Sequence, residues 1–273
     1  LSPLLVKRDT SKTKKAKFTE KDLQNMSKTN FKFVINLDAK KFLFRKLNAN
    51  NVSAKINYDN SIISIPKLKF NTCKGTIEAN ASLHEFSYLK ADINVTNADV
   101  KQLFMECEEF GQKAITSDNI LGDLDAKMDL TAVFTDNFEL EPGSLTGKAE
   151  IKLKNGHLLN YEPLQNISHF LFRNRNFEDI TFSEINETFY IQDNKMQINE
   201  LEIASSVLNM YIEGIYDFKG ESNINMRIPW SNLKRRGKNY IPKSLGEEGK
   251  NAKGLKLNYH GQPNKLKLRL GNH

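Results

Sequence analysis

Apolar and polar residues alternate with a period of two along most of the chain after residue 30. The pattern is clear in "FKFVINLD" (31–38), "VSAKINYD" (52–59), "SIISIPKLKF" (61–70), "KGTIEANASL" (74–83) and "LKADINVTN" (89–97). Alternation of this kind, rich in β-branched residues and separated by short Asn, Asp, Gly and Lys turns, is typical of half-buried strands. The first hundred residues therefore predict an antiparallel meander.

The same period returns in the second half of the chain. It is present in "GDLDAKMDLTAVF" (122–134) and "SLTGKAEIKLKNGHLL" (144–159), in about five strands over 180–229, and in a last hairpin around residues 261–264. Asn155-Gly156 predicts a tight hairpin turn, because both positions of such a turn need positive φ values.

Two segments break the strand period and indicate amphipathic helices. Residues 98–115 place Val100, Leu103, Phe104, Cys107 and Phe110 at helical spacing, and residues 163–174 begin with a proline suited to the first helical turn. The polar, Lys-rich residues 1–30 predict a basic linker or arm before a β-rich domain over 31–273, and the basic, Gly-rich residues 231–254 predict a flexible loop.

These elements predict a mainly β protein, built as a long, curved antiparallel sheet with two short helices. So many strands create more apolar surface than two helices can cover. The sheet must close, stack on another sheet or curl into a trough, and a trough could hold an apolar guest.

Charge is distributed unevenly along the chain. The net charge of +7 divides into +5 over residues 1–30, +9 over 231–273 and −7 between them. Basic ends can meet phosphate on nucleic acid or lipid, or they can simply be solvated. An acidic body without basic stripes and interleaved aromatics argues against nucleic-acid binding.

The sequence contains no pattern that predicts catalysis, a cofactor or a metal site. The five histidines lack HExxH spacing, Cys73 and Cys107 form no CxxC pair, and there is no GxSxG or phosphate-binding loop. Carboxylates such as Asp123, Asp125 and Asp129 alternate along strands, as the solvated face of a sheet requires. No apolar run is long enough to span a bilayer as a helix.

Residues 145–171 and 180–218 resemble the C-terminal region of the AsmA family of Gram-negative envelope proteins, which is related to TamB-type bridge-like lipid transfer proteins. The shared layout is a Gly-started strand, an "NGxLxNxxPL" turn into a short helix, and strands ending in "I.G.G..DL". The matching residues are Gly147, Asn155, Gly156, Leu158, Pro163, Leu164, Phe189, Ile191, Asp193, Met196, Leu201, Ser205, Ile212, Gly214 and Asp217. Lys74 and Tyr216 replace glycines of the family pattern, and the basic loop after Trp230 departs from it.

The resemblance implies a periplasmic module, tethered to the inner membrane by an N-terminal segment that precedes this chain, with a partner at the outer membrane. It implies a role in outer-membrane biogenesis, in which phospholipid or another acyl-chain ligand travels between the membranes along an apolar groove. From alternation, we expect six residues to line this groove: Ile151, Leu153, Ile198, Leu208, Met210 and Ile212.

Two other functions compete with lipid handling. A structural or protein-docking β domain would fill its apolar face with its own helices, and bound phospholipid in the purified protein distinguishes this case. A secreted carbohydrate-active enzyme would need a pocket of carboxylates and aromatics, and Trp230 is the single tryptophan.

Overall fold

The computed structural model of the chain is an open, antiparallel β-sheet. It describes residues 32–111, 115–135, 139–162, 164–165, 175–218, 220–233, 236, 240–261 and 267–270. The predicted arm, residues 1–30, lies outside the described residues, as does most of the predicted helix at 163–174. Within that range Leu164 and Gln165 are described, and both are helical.

Fourteen strands belong to one sheet. They are β1 (Lys32–Phe44), β2 (Leu47–Asp59), β3 (Ile62–Thr72), β4 (Gly75–His84), β5 (Tyr88–Asp99), β6 (Ile120–Val133), β7 (Thr146–Leu159), β8 (Asp179–Phe182), β9 (Ile185–Gln192), β10 (Lys195–Ala204), β11 (Asn209–Asp217), β12 (Ser222–Pro229), β13 (Gly254–Gly261) and β14 (Lys267–Leu270).

Thirteen strands follow one another in chain order across the sheet, and β8 pairs with the end of β7 beside this path. The order ends at β1 on one side and at β14 on the other, so the sheet is not closed. The mainly β prediction is confirmed, and the predicted strands of both halves are present.

Register shifts bend the sheet at several points. They occur twice in the pair β2/β3 and once in each of the pairs β3/β4, β5/β6, β6/β7 and β10/β11. An extra residue in one strand bends that strand and increases its twist. A row of such bulges curves a long sheet that would otherwise remain nearly flat.

Asn155-Gly156 forms such an irregularity and does not form the predicted hairpin turn. Asn155 has the expected positive φ, 49°, but β7 continues through it to Leu159. The partner strand β6 shifts register between Leu121 and Asp123 at the same level. The predicted positive φ is present at Asn155 and absent at Gly156, and the interpretation as a turn was wrong because a residue at a bulge can adopt the same backbone conformation.

The helix predicted at 98–115 is shorter than expected. It spans Val100–Glu106 and is followed by a 3₁₀ turn at Glu108–Gly111. The α-helix ends because Glu108, Glu109 and Phe110 all have positive φ values between 52° and 57°. Val100 and Leu103 of the predicted apolar stripe are buried, whereas Phe110 is exposed.

The three long connections, 100–119, 160–178 and 230–253, all lie at one end of the sheet, which we call the helix end. At the opposite end the connections are shorter: several are turns of only two or three residues, and the longest, residues 134–145, joins β6 to β7. Neighbouring strands run in opposite directions, so connections that follow strands of the same direction lie at the same end of the sheet. The elements available to cover the sheet are thus concentrated at the helix end.

Candidate functional site

The strand register places almost all large apolar side chains on one side of the sheet, which we call the apolar face. One row crosses eight neighbouring strands without a polar residue: Leu37, Ala54, Leu68, Ala79, Ile93, Met128, Ala149 and Phe189. A second row crosses β3 to β11: Ile65, Ala81, Ala91, Leu130, Gly147, Ile191, Met196 and Tyr216. The apolar face is therefore continuous between the two halves of the chain.

The small residues in these rows leave space above the sheet. Small residues, such as Ala79, Ala81 and Gly147, stand between larger ones. Thirteen strands at about 4.8 Å each give a path of roughly 60 Å along the sheet. A surface of this kind can contact a long apolar molecule through many small dispersion contacts.

The opposite side of the sheet is polar and carries cross-strand ion pairs. Lys69 and Glu78 lie 2.7 Å apart, as do Lys154 and Asp125. The pKa of Asp125 is lowered by its hydrogen bond from Lys154 and by the backbone N–H of Asn97. This side is built to contact water, which leaves the apolar face as the candidate binding surface.

The Val100–Glu106 helix covers the apolar face at the helix end of β5 and β6. Leu103 packs with Cys73, Val95, Ala98 and Ala126 in a buried cluster. Burial raises the pKa of the Cys73 thiol to about 12, so this thiol is an inert member of the cluster.

Polar contacts fix both ends of this helix. At its start, Asp99 accepts a hydrogen bond from the Gln102 N–H at 3.0 Å and pairs with Lys74 at 2.6 Å. Burial tends to raise the pKa of Asp99, but these bonds outweigh it and the pKa is lowered. At its end, Glu106 accepts hydrogen bonds from Thr72 Oγ1 at 2.7 Å and from the Asn48 N–H at 3.2 Å. The helix is thus tied to strands β2 and β3.

A second, larger cluster fills the apolar face at the helix end of β11–β13. Its buried members are Leu164, Phe177, Ile180, Val207, Leu208, Met210, Ile228 and Leu257. Leu164, Phe177 and Ile180 come from the connection after β7 and from β8, so this part of the face is covered by the chain itself. Buried Asn232 fixes the adjacent loop by accepting the Asn209 N–H at 2.7 Å and donating to the Asn209 carbonyl at 2.9 Å.

No segment among the described residues covers the β1 side of the apolar face. Ile35 is 47% exposed, Phe42 46% and Phe44 59%, although their register partners Ile56, Ala49 and Leu47 belong to the same apolar face. Side chains of this size are usually buried in a sheet with a filled core. An exposed apolar stretch rimmed by polar residues marks a surface for an apolar partner.

The structure distributes the six predicted groove residues over the apolar face. Ile151, Leu153, Ile198, Met210 and Ile212 lie on it by register, and Leu208 lies just before β11. Ile151 packs on the helix cluster, whereas Leu208, Met210 and Ile212 belong to or pack on the C-terminal cluster. Leu208 is fully buried there. That any of the six contacts a ligand remains a prediction.

The sequence prediction did not include the exposed β1 residues, which are the most accessible part of the apolar face. In the sequence, the alternation in "FKFVINLD" predicted the strand that carries these residues. Alternation identifies the face of a strand, but exposure depends on which segments fold over that face.

The predicted flexible loop 231–254 contains a short helix, Gly246–Lys250. Its flanks bind the polar side of the sheet. Glu202 accepts the Leu245 N–H at 2.7 Å, and Arg227 donates to the Gly249 carbonyl at 2.8 Å. This basic segment therefore lies across the sheet from the apolar face.

The described residues contain no group of three or more His, Cys, Asp or Glu side chains arranged to hold a metal ion. Within the same part of the chain, no helix has the length and apolar character needed to cross a membrane.

Comparison with known proteins gives one match. Residues 6–207 match the model of the AsmA family, which covers β1–β10 and the predicted arm. The family-like residues Ile212, Gly214 and Asp217, and the closing hairpin, lie beyond the matched range. No curated protein and no solved structure matches the chain. The match spans well over half of the sequence and agrees with the open, β-rich fold, so the chain belongs to the AsmA family.

Proposed function

We propose that this chain is a non-catalytic lipid-handling module that holds the acyl chains of phospholipid against its apolar face. In this proposal it works in the periplasm, tethered to the inner membrane through a preceding segment. There it contributes to phospholipid transport between the inner and outer membranes and so to outer-membrane biogenesis. Membership of the AsmA family is consistent with such a role.

The observation that carries the proposal is an apolar face that continues across the sheet and is covered only in part. Burying acyl methylenes on it gains about 0.8 kcal/mol each, without any requirement for specific polar contacts. Headgroups would remain in water along the open β1 side, where Ile35 and Phe44 are exposed. A continuous surface suits transport, because a lipid can move along it without crossing a polar barrier.

A structural or protein-docking domain is the second candidate, and the C-terminal cluster favours it. Around Leu208 and Met210 the apolar face is filled by the protein's own side chains, as in an ordinary core. This candidate accounts for the C-terminal half, but it leaves the apolar side chains of β1 without a function.

Native mass spectrometry of the protein purified from a Gram-negative host tests the proposal. We expect adducts with the masses of phospholipids, released on mild activation. Protein that carries no lipid after purification, and acquires none from phospholipid vesicles, would favour the structural candidate.

A further inference from the structure

Three tyrosines meet on the C-terminal part of the apolar face, and neither lipid handling nor the family match assigns them a role. Tyr216 ends the second apolar row, opposite Met196 of β10. Tyr259 lies on β13, opposite Ile224 of β12. Tyr161 follows β7 and packs on the C-terminal cluster. Elements distant in sequence thus bring three phenol groups to one place.

The hydroxyls of these tyrosines interact with one another. Burial raises the pKa of Tyr161, and the Tyr259 hydroxyl raises it further through charge and hydrogen bonding. Burial and the Tyr259 hydroxyl also raise the pKa of Tyr216. Tyr161 and Tyr216 therefore remain neutral hydrogen-bond donors at physiological pH.

The Tyr216 hydroxyl has no hydrogen-bond partner among the described residues, and less than 1 Å² of this oxygen is exposed. Its ring packs edge-on against Phe218, with the centroids 5.4 Å apart. A buried hydroxyl without a partner is costly, and such groups are rare in folded proteins. An acceptor supplied by a bound molecule would remove this cost.

The surroundings of the cluster indicate the chemistry of that acceptor. The groups that shift the pKa values of Tyr161 and Tyr216 are other tyrosines, and no described cation is among them. An anionic phosphate would be poorly stabilised in such a place, because buried charges need a paired charge. A neutral carbonyl oxygen accepts hydrogen bonds without this penalty.

From this geometry we infer that Tyr161, Tyr216 and Tyr259 form a polar anchor within the apolar face, where Tyr216 donates a hydrogen bond to the acyl carbonyl oxygen of a bound lipid. The inference rests on the proposed lipid binding and adds to it the chemical group of the lipid that the protein recognises. The carbonyl can belong to the ester of a phospholipid or to that of a neutral single-chain ester. An alkyl chain lying along the second row reaches Tyr216 at the end of that row.

Competition between an ester lipid and its ether analogue tests the anchor. Delipidated protein is mixed with equal amounts of diacyl and dialkyl phosphatidylethanolamine of the same chain length, and the bound ratio is read by native mass spectrometry. We expect the diacyl form to be enriched about fivefold in the wild type, as one hydrogen bond allows. In Tyr216→Phe the ratio should fall to about one.

Tyr190→Phe is the matched control, since Tyr190 is exposed and lies on the polar side of β9. It should keep the wild-type ratio. Methyl hexadecanoate, added to the same mixture, distinguishes the two sources: Tyr216-dependent enrichment of this ester assigns the anchor to single-chain esters. Equal binding of ester and ether lipids by the wild type would overturn the anchor while leaving lipid binding intact. Binding of neither lipid would instead remove the proposed function.

Thermal unfolding of the lipid-free protein gives a second readout. Removing a hydroxyl without a partner should leave the midpoint of Tyr216→Phe unchanged or higher. A lower midpoint would show that the hydroxyl stabilises the fold, and the anchor would then be rejected.

Discussion

The two sides of the apolar face differ in how they are covered. Around β11–β13, side chains of the connection after β7 and of β8 pack over the face and bury Leu208, Met210 and Ile228. On β1, side chains of the same chemical type are exposed, and Ile35 and Phe42 are each about half accessible. Both regions have the same strand pattern, so alternation alone does not determine whether an apolar face becomes a core.

This difference separates residues that support the fold from residues free to bind. A buried side chain contributes to stability through packing on its neighbours, whereas an exposed one contributes little until a partner covers it. Substitutions in the two regions should therefore affect different measurements.

Leu208→Ala should have the largest effect on stability. Leu208 is fully buried in the C-terminal cluster, and truncation of such a leucine costs about 3 kcal/mol of the free energy of unfolding. Leu37→Ala, on the open β1 side, should cost about 1 kcal/mol, because Leu37 is 36% exposed and packs less completely. Urea unfolding measures both. Equal losses would mean that β1 is as well packed as the C-terminal cluster.

Ile35→Asp should have the largest effect on lipid binding. Ile35 is exposed on the apolar face, and a carboxylate there would repel acyl chains, weakening lipid retention by about tenfold, or ~1.4 kcal/mol. Val34→Asp is the matched control, because Val34 is exposed on the polar side of the same strand. Co-purified lipid per protein is measured for each variant. If both variants lose lipid alike, the face assignment is wrong.

Glu106→Ala should have a moderate effect on stability by releasing the end of the Val100–Glu106 helix. Thr72 Oγ1 and the Asn48 N–H would lose their acceptor, at a cost of about 1 kcal/mol. Glu108→Ala, at an exposed neighbouring position, controls for loss of charge. Urea unfolding compares the two variants. An unchanged free energy for Glu106→Ala would show that these bonds do not hold the helix on the sheet.

Asp99→Asn should have the smallest effect, and it should depend on pH. The folded-state pKa of Asp99 is lowered, so its stabilising contribution is present above the unfolded-state value of about 3.9 and is lost as pH falls through the folded-state value. At pH 7 the variant should be less stable by about 0.5 kcal/mol, because Asn still caps the helix and the exposed Lys74 is screened by solvent. At pH 2.5 most of this difference should disappear. A difference that persists unchanged at low pH would exclude the charge as its cause.

The strands could be predicted from the sequence because a period of two is a local property. Residues 32–38 and 89–97 show this period clearly, and both lie in strands. The early end of the first helix could not be predicted, since it depends on positive φ values at Glu108–Phe110, where the sequence contains no helix-ending signal before Gly111. Likewise, Asn155 signalled its backbone conformation but not whether that conformation served a turn or a bulge.

From the sequence, the candidate site could be predicted only as one face of the sheet. The register places Ile151, Leu153, Ile198, Met210 and Ile212 on one side of the sheet, and that they line a groove remains a prediction. Their coverage was not predictable, since Leu208 is buried by segments that arrive from 164–180. The tyrosine cluster was missed for the same reason: Tyr161, Tyr216 and Tyr259 meet only after the sheet has formed.

Photo-crosslinking along one strand tests most directly whether the apolar face holds acyl chains. Ile93 and Asp92 of β5 are neighbours on opposite sides of the sheet, as are Leu68 and Lys69 of β3. Each would be replaced in turn by benzoylphenylalanine, and the protein irradiated in cells whose phospholipid is radiolabelled. We predict labelled protein from positions 68 and 93 and none from 69 and 92. Equal labelling at all four positions, or labelling at none, would contradict acyl-chain binding on this face.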